Sequence, residues 1–212
     1  MGRDLVILVP ALDRPHHVGP FLDSAEAATP GARVLFICDA GDDAQIDAVL
    51  SDKRAHLDIA SGNYAQKINR GVEITAEPLI FFGADDLRFR QGWLEACRAH
   101  LGTAQVIGVN DLLDRPHRPD HATHFLVDRA YVERGTIDGK PGALSTAYEH
   151  NFVDDELIAT AARRGVYAYA PDAHVEHLHP MAGAPMDATY EKGYETMRRD
   201  RRRFNVRRQR WT

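Results

Sequence analysis

Carboxylates recur directly after short apolar runs in this chain. Leu5-Val6-Ile7-Leu8-Val9 leads into Pro10-Ala11-Leu12-Asp13-Arg14-Pro15, Val34–Cys38 leads into Asp39-Ala40-Gly41-Asp42-Asp43, and Leu79-Ile80-Phe81-Phe82 leads into Gly83-Ala84-Asp85-Asp86. Any one of these aspartates serves equally well as a helix cap or turn residue. Three at one edge of a sheet point to a polar ligand or a cation. Asp85 and Asp86 are adjacent acids where burial begins, and like charges that close need a cation or hydrogen bonds to offset them. Such oxygen ligands suit Mg²⁺ or Mn²⁺, which commonly complete their shells with substrate phosphates. The other reading has one acid capping the next helix and its neighbour facing water.

Two further groups lie downstream. His174-Val175-Glu176-His177-Leu178-His179-Pro180 alternates, so in an extended segment His177 and His179 share one face. Either is a candidate metal ligand, against the plainer reading of an exposed histidine with no role. In His150-Asn151-Phe152-Val153-Asp154-Asp155-Glu156-Leu157, three acids open a helix. There they complement the helix dipole, and a general base aimed at the ligand edge would come from the same place. Lys67 and Arg70 lie on the helical segment before the Asp85 strand, where they meet either phosphate or solvent.

The elements that must position these groups are legible as alternating patterns. Leu5–Val9, Val34–Cys38 and Leu79–Phe82 read as buried strands, and Val18–Ala28, Ala44–Leu50 and Tyr64–Thr75 carry apolar residues at helical spacing. Strands alternating with helices predict a parallel α/β sheet, in which ligands bind outside the carboxyl ends of the strands. The second half holds weaker strands at Val106–Val109, Phe125–Val127, Val166–Tyr169 and Val175–His177, and a well-marked helix at Asp154–Arg164 before Gly165. Asp111–Ala122, with three His/Pro/Arg clusters, has no periodicity and reads as a loop.

Composition bounds the rest. With 212 residues, 44% apolar and 27% charged, the chain suits a single domain whose core needs no staples. Disordered, collagen-like and coiled-coil classes are excluded. No stretch approaches the roughly 18 apolar residues of a membrane span, and the first apolar run is too short for a secretory leader. Two cysteines, Cys38 and Cys97, form no disulfide framework, so a reducing cytoplasm is expected. The net charge of −5 divides unevenly: from Arg198 onward eight arginines face one aspartate, a local +7, leaving −12 on residues 1–197. The basic tail suits phosphates of a nucleic acid or an anionic surface, or else it is a solvated helix end.

The order of these motifs resembles the GT-A fold nucleotide-sugar glycosyltransferases of the family 2 type. The resemblance rests on the first strand with its Pro and Arg, Asp39 after the second, and the helix Asn63-Tyr64-Ala65-Gln66-Lys67-Ile68-Asn69-Arg70-Gly71. It continues through Phe81–Leu94, similar to the DxD region, Val153-Asp154-Asp155-Glu156-Leu157, similar to the Glu-Asp motif, and His177-Leu178-His179, similar to a late metal-binding histidine. It spans residues 5 to 180, and the small size is similar to compact virus-encoded or bacterial members. Gly83 stands where the first aspartate of DxD is usual, and Val153 where a glutamate precedes the catalytic aspartate.

The resemblance implies an α/β, Rossmann-like GT-A domain with a mostly parallel central sheet flanked by helices. Residues 1–185 would be catalytic, with a nucleotide-binding half (1–86) and an acceptor half (87–185), and residues 186–212 a C-terminal helix and arginine-rich tail. It implies a hexosyltransferase-like enzyme moving a sugar from a UDP- or GDP-sugar to an acceptor hydroxyl with Mn²⁺ or Mg²⁺. Asp154 would be the general base, with Asp155 its rival. Pro10, Asp13, Arg14, Asp39, Lys67, Ala84 and Asp85 would face the donor, and Asp85 with His177 or His179 the metal. The acceptor is a glycan, a protein or a modified nucleic acid, and the setting is the cytoplasm, that of the host for a virus-encoded member. Two other readings compete: a sugar nucleotidyltransferase, which would normally carry a basic, Gly-rich loop after the first strand, and a nucleic-acid-binding module or DNA-modifying enzyme recruited through the tail.

Overall fold

The computed structural model describes residues 2–118 and 120–211. The three apolar runs are strands β1 (Leu5–Ala11), β2 (Arg33–Cys38) and β4 (Leu79–Phe82), nearly continuous in burial because both faces of the sheet are covered. Helices α1 (Val18–Ala28), α2 (Asp43–Leu50) and α3 (Tyr64–Glu73) provide the crossovers, and β3 (Ala55–Ile59) adds an edge strand beside β2. Side chains alternate between two cores. Leu5, Ile7 and Val9 pack with Phe21, Phe36, Phe81 and Trp93 on one face. Val6 and Leu8 pack with Ile68, Phe82 and Tyr148 on the other.

β1 continues past Val9, so Pro10 lies in the strand, opposite Ile37 of β2. On its other side the pairing with β4 has already ended at Leu8↔Phe82, so the missing Pro10 N–H breaks no ladder there.

The chain continues through β5 (Leu87–Phe89), α4 (Trp93–Arg98), β6 (Val106–Asn110), β7 (Phe125–Asp128), α5 (Arg129–Val132), α6 (Val153–Arg163) and β8 (Tyr167–His177). The eight strands run in the order β3-β2-β1-β4-β7-β6-β8-β5. The half from β3 to β4 is parallel; β7 is antiparallel to both its neighbours, β6 and β8 are parallel, and β5 is antiparallel to β8. The two short strands expected around 166–177 are one long strand. A register shift at Val109/Asn110 lets its start pair with β6 and its end with β5.

The arginine-rich segment is helix α7 (Ala188–Arg207), which lies on the body. Asp200, fully buried, accepts from the backbone N–H groups of Glu149, His150 and Asn151 at 2.9–3.2 Å. Arg203 meets Glu149, Arg207 meets Glu156 and Asp138, and Phe204 stacks on Phe152 at 5.3 Å. Among the described residues no helix is long and apolar enough to cross a membrane.

Candidate active site

The site starts where β4 ends. Gly83 N donates to Leu8 O at 2.9 Å, and a Cβ at Gly83 would lie 3.1 Å from the same oxygen. A side chain where the DxD pattern begins would therefore crowd the β1 backbone. Asp85 and Asp86 follow, almost fully buried. β5 begins at once, with Leu87 opposite His177, and Leu178 N donates to Asp86 O at 2.9 Å. Backbone pairing thus seats His177 beside the acids: its Nε2 lies 3.4 Å from Asp86 Oδ1.

Arg14 fills the space between the carboxylates. Its Nη1 donates to Asp85 Oδ1 at 2.9 Å and Asp86 Oδ2 at 2.8 Å, while Nε and Nη2 clasp Asp187 at 2.8 and 3.0 Å. Tyr190 donates to Asp86 Oδ2 at 2.6 Å, and its ring lies 4.7 Å from the guanidinium. Burial pushes both carboxyls up. For Asp85 the neighbouring Asp86 adds to this, raising it to about 7. For Asp86 the facing His177, Arg14 and Tyr190 outweigh burial and hold it well below the usual range.

One guanidinium therefore serves three carboxylates, Asp85, Asp86 and Asp187, and the pocket keeps an excess of negative charge. Asp86 Oδ1 and His177 Nδ1 are buried without a hydrogen-bond partner among the described residues. Carboxylate oxygen plus imidazole nitrogen is a donor set that Mn²⁺ or Mg²⁺ accepts, so the residue types suit a divalent cation once Arg14 leaves the acids. Asp85, Asp86 and His177 do not converge on one point, because Arg14 stands between the acids. His179 is used differently: its Nδ1 accepts from Met181 N at 3.1 Å, capping the short turn that starts at Pro180.

On the other side of β1, Lys67 is buried rather than facing solvent, and joins two strand ends by donating to Ala11 O at 3.0 Å and Asp39 Oδ2 at 2.8 Å. Asp39 Oδ1 also accepts from Gly62 N, just before the capping box of Asn63 and Gln66 that opens α3. Arg70 pairs with Asp58 of β3. Asp13 is an exposed left-handed residue whose N–H reaches Asp42 and whose carboxylate faces Lys192 at 3.7 Å. Pro10 is half-buried, and Ala84 packs against the core.

The second carboxylate pair opens α6 after Phe152, a left-handed residue held under Phe204. Asp154 Oδ2 lies 3.2 Å from His121 Nε2, and Asp155 is ion-paired with Arg118. Burial raises Asp154, but hydrogen bonds from His121 and from the backbone at Asp154 and Asp155 help to outweigh this, and its carboxyl lies below the ordinary range. Burial and then the Asp154 charge push Asp155 up. Glu156 is taken by Tyr148 and Arg207. The two carboxylate sites act on a common set of side chains: Tyr64, His124 and His150 each feel the charge of both Asp86 and Asp154.

Sequence reasoning gave no role to Arg118, His121, Asp187 or Tyr190. The first two sit in the aperiodic 111–122 loop, whose His/Pro/Arg clusters were the available signal. Asp187 and Tyr190 carry only the signature of a helix cap.

No protein-family model and no curated protein matches the chain. Solved structures do. The mannosyltransferase PcManGT from Pyrobaculum calidifontis, in complex with GDP-Man and Mn²⁺, superposes with a TM-score of 0.65 at 16% identity over 83% of this chain. Glucosyl-3-phosphoglycerate synthase from Mycobacterium tuberculosis, with Mn²⁺, UDP and phosphoglyceric acid, gives 0.59 at 16% identity over 91% of this chain and 74% of its own. TarS 1–349 from S. aureus gives 0.63 at 9% identity over 81% of this chain and 59% of its own. The chain spans 57% of the mannosyltransferase. At such identities the likeness is one of architecture: this chain has the GT-A fold of nucleotide-sugar glycosyltransferases.

Proposed function

We propose that the protein transfers a sugar from a UDP- or GDP-sugar to an acceptor hydroxyl, with a divalent cation and with Asp154 as the general base. The observation that carries this reading is the pair of carboxylate sites flanking one set of side chains, Tyr64, His124 and His150. Asp85, Asp86 and His177 lie at the carboxyl edge of the parallel strands, and Asp154 opens the helix beside them. The structural neighbours that hold UDP or GDP-Man together with Mn²⁺ support it. Asp85, Asp86 and His177 would hold Mn²⁺ or Mg²⁺ once Arg14 leaves the acids, and the cation would supply Lewis-acid stabilisation of the departing diphosphate. Asp39, after β2, and Lys67, whose ammonium reaches from α3 to Asp39 and the end of β1, would line the nucleoside side. Asp154, held ionised, would take the proton of the acceptor oxygen as that oxygen bonds to the anomeric carbon and the sugar–diphosphate bond breaks. We place the protein in a reducing compartment, in keeping with two buried free thiols, Cys38 and Cys97.

The ion pairs of α7 with Glu149, Glu156 and Asp138 favour this over a nucleic-acid-binding module, because much of the basic tail is already neutralised by the body. The test is hydrolysis of UDP-glucose and GDP-mannose without acceptor, with and without Mn²⁺. Metal-dependent release of UDP or GDP, reduced roughly 10²–10⁴-fold by Asp154→Asn and little by Asp155→Asn, is expected. Hydrolysis of neither sugar nucleotide, or a greater loss in Asp155→Asn, would count against the assignment.

A further inference from the structure

The aperiodic loop between β6 and β7 delivers two side chains to the start of α6, and its own scaffold explains how it can do so without secondary structure. Asp111, buried, accepts from Arg115 at 2.6 and 2.7 Å and from Thr123 at 2.9 Å, pinning both ends of the loop. Tyr167 of β8 donates to Asp120 O at 3.0 Å. The pinned segment holds His121 with its side chain almost fully buried, between Arg118 and Asp154.

Hydrogen-bond chemistry fixes the state of that ring. Arg118 Nη2 lies 2.7 Å from His121 Nδ1, and a guanidinium has donors only. Nδ1 must therefore accept, the ring proton resides on Nε2, and that N–H faces Asp154 Oδ2 3.2 Å away. Arg118 is itself anchored by Asp155. The ligand atoms of His121, Asp154 and Asp155 lie within 4.8 Å of one another, close enough for a metal ion. The Arg118 guanidinium already contacts two of the three residues, which makes the cluster a hydrogen-bonded chain instead.

We propose that His121, held in its Nε2–H tautomer by Arg118, is the positioning residue for Asp154: it engages Oδ2 and leaves Oδ1 to receive the acceptor proton. This rests on the reading of Asp154 as the base. The neutral donor also keeps a buried carboxylate ionised, which burial alone would oppose. The other titratable groups around Asp154 are Asp155 on its own helix, Tyr64 of α3, His124 ahead of β7, His150 before α6 and Tyr167 of β8. His121 and the backbone of α6 are what lower the carboxyl.

The experiment compares wild type, His121→Ala, His121→Gln and Asp154→Asn in Mn²⁺-dependent hydrolysis of UDP-glucose and GDP-mannose across pH. Circular dichroism checks that each variant is folded. His121→Ala should lower kcat roughly 10- to 100-fold, leave KM within about twofold, and move the acid limb of the kcat profile up by about one pH unit. His121→Gln, whose amide N–H₂ can still donate, should recover most of the rate. An unmoved acid limb, or a change confined to KM, would overturn the proposal. If wild type hydrolyses neither nucleotide sugar, the function reading fails separately, and ¹³C NMR titration of the Asp154 carboxyl still decides the pairing. A higher midpoint in His121→Ala supports it; identical midpoints in both proteins refute it.

Discussion

Arg14→Gln is the perturbation that speaks most directly to the acid pair. The guanidinium makes four charged hydrogen bonds of 2.8–3.0 Å, two to Asp85 and Asp86 and two to Asp187. Removing one partner of a buried ion pair costs about 3–5 kcal/mol. In a domain of this size each kcal/mol lowers Tm by about 2–4 °C, so the metal-free variant should melt roughly 6–20 °C below wild type. The lower part of that range is expected, because Asp85, already raised to about 7, can take up a proton once Arg14 is gone. Mn²⁺ should act in the opposite sense. A ligand of the native state at 100 times its Kd contributes about 2.7 kcal/mol. In wild type that cation would compete with Arg14 for Asp85 Oδ1 and Asp86 Oδ2; in the variant it would not. Scanning fluorimetry over a Mn²⁺ titration should therefore show a lower Tm without metal, a larger rise with it, and a half-maximal rise at lower Mn²⁺. An equal Mn²⁺ response in the two proteins would refute the argument that arginine and metal share these oxygens, and an unchanged metal-free Tm would refute the pairing itself.

Four other outcomes follow from the same geometry. Asp85→Asn should abolish Mn²⁺-dependent hydrolysis while circular dichroism stays native, since it removes a carboxylate without changing volume. His177→Ala should weaken Mn²⁺ binding, read as free Mn²⁺ by electron paramagnetic resonance, whereas His179→Ala should not, because that ring caps a turn. Asp39→Ala should raise donor KM more than it lowers kcat, and should also lower Tm by leaving buried Lys67, among the described residues, with Ala11 O alone as partner. Asp200→Ala strands three backbone N–H groups that are part-buried, at about 1–3 kcal/mol each where water cannot reach them. A Tm drop under about 2 °C would show that α7 does not depend on that contact.

What the sequence makes legible here is what burial imposes locally. β1, β2 and β4 are covered on both faces, so their apolar runs and the aspartates after them stand out without any knowledge of partners. β3 hides in Ala55-His56-Leu57-Asp58-Ile59 because an edge strand tolerates polar residues, and β5 is only three residues long, held by its register with β8. The 111–122 loop gives no period because side chains, not a backbone ladder, hold it.

The partners of the site residues are hidden for a different reason: they are separated in the chain by distances that no local pattern spans. Arg14 meets Asp187 across 173 residues and Asp85 across 71. The arginine-rich segment shows the same limit. Read alone, its +7 invites a polyanion; read with the −12 of the rest, it is one half of a complementary pair. Glu149, Glu156 and Asp138 receive Arg199, Arg203, Arg207 and Arg210. The same helix carries Tyr190 to Asp86 and Asp200 to the loop that leads into Asp154. A helix that closes over one carboxylate pair and orders the approach to the other belongs to the site itself. Its charge is explained first by what it touches inside the molecule.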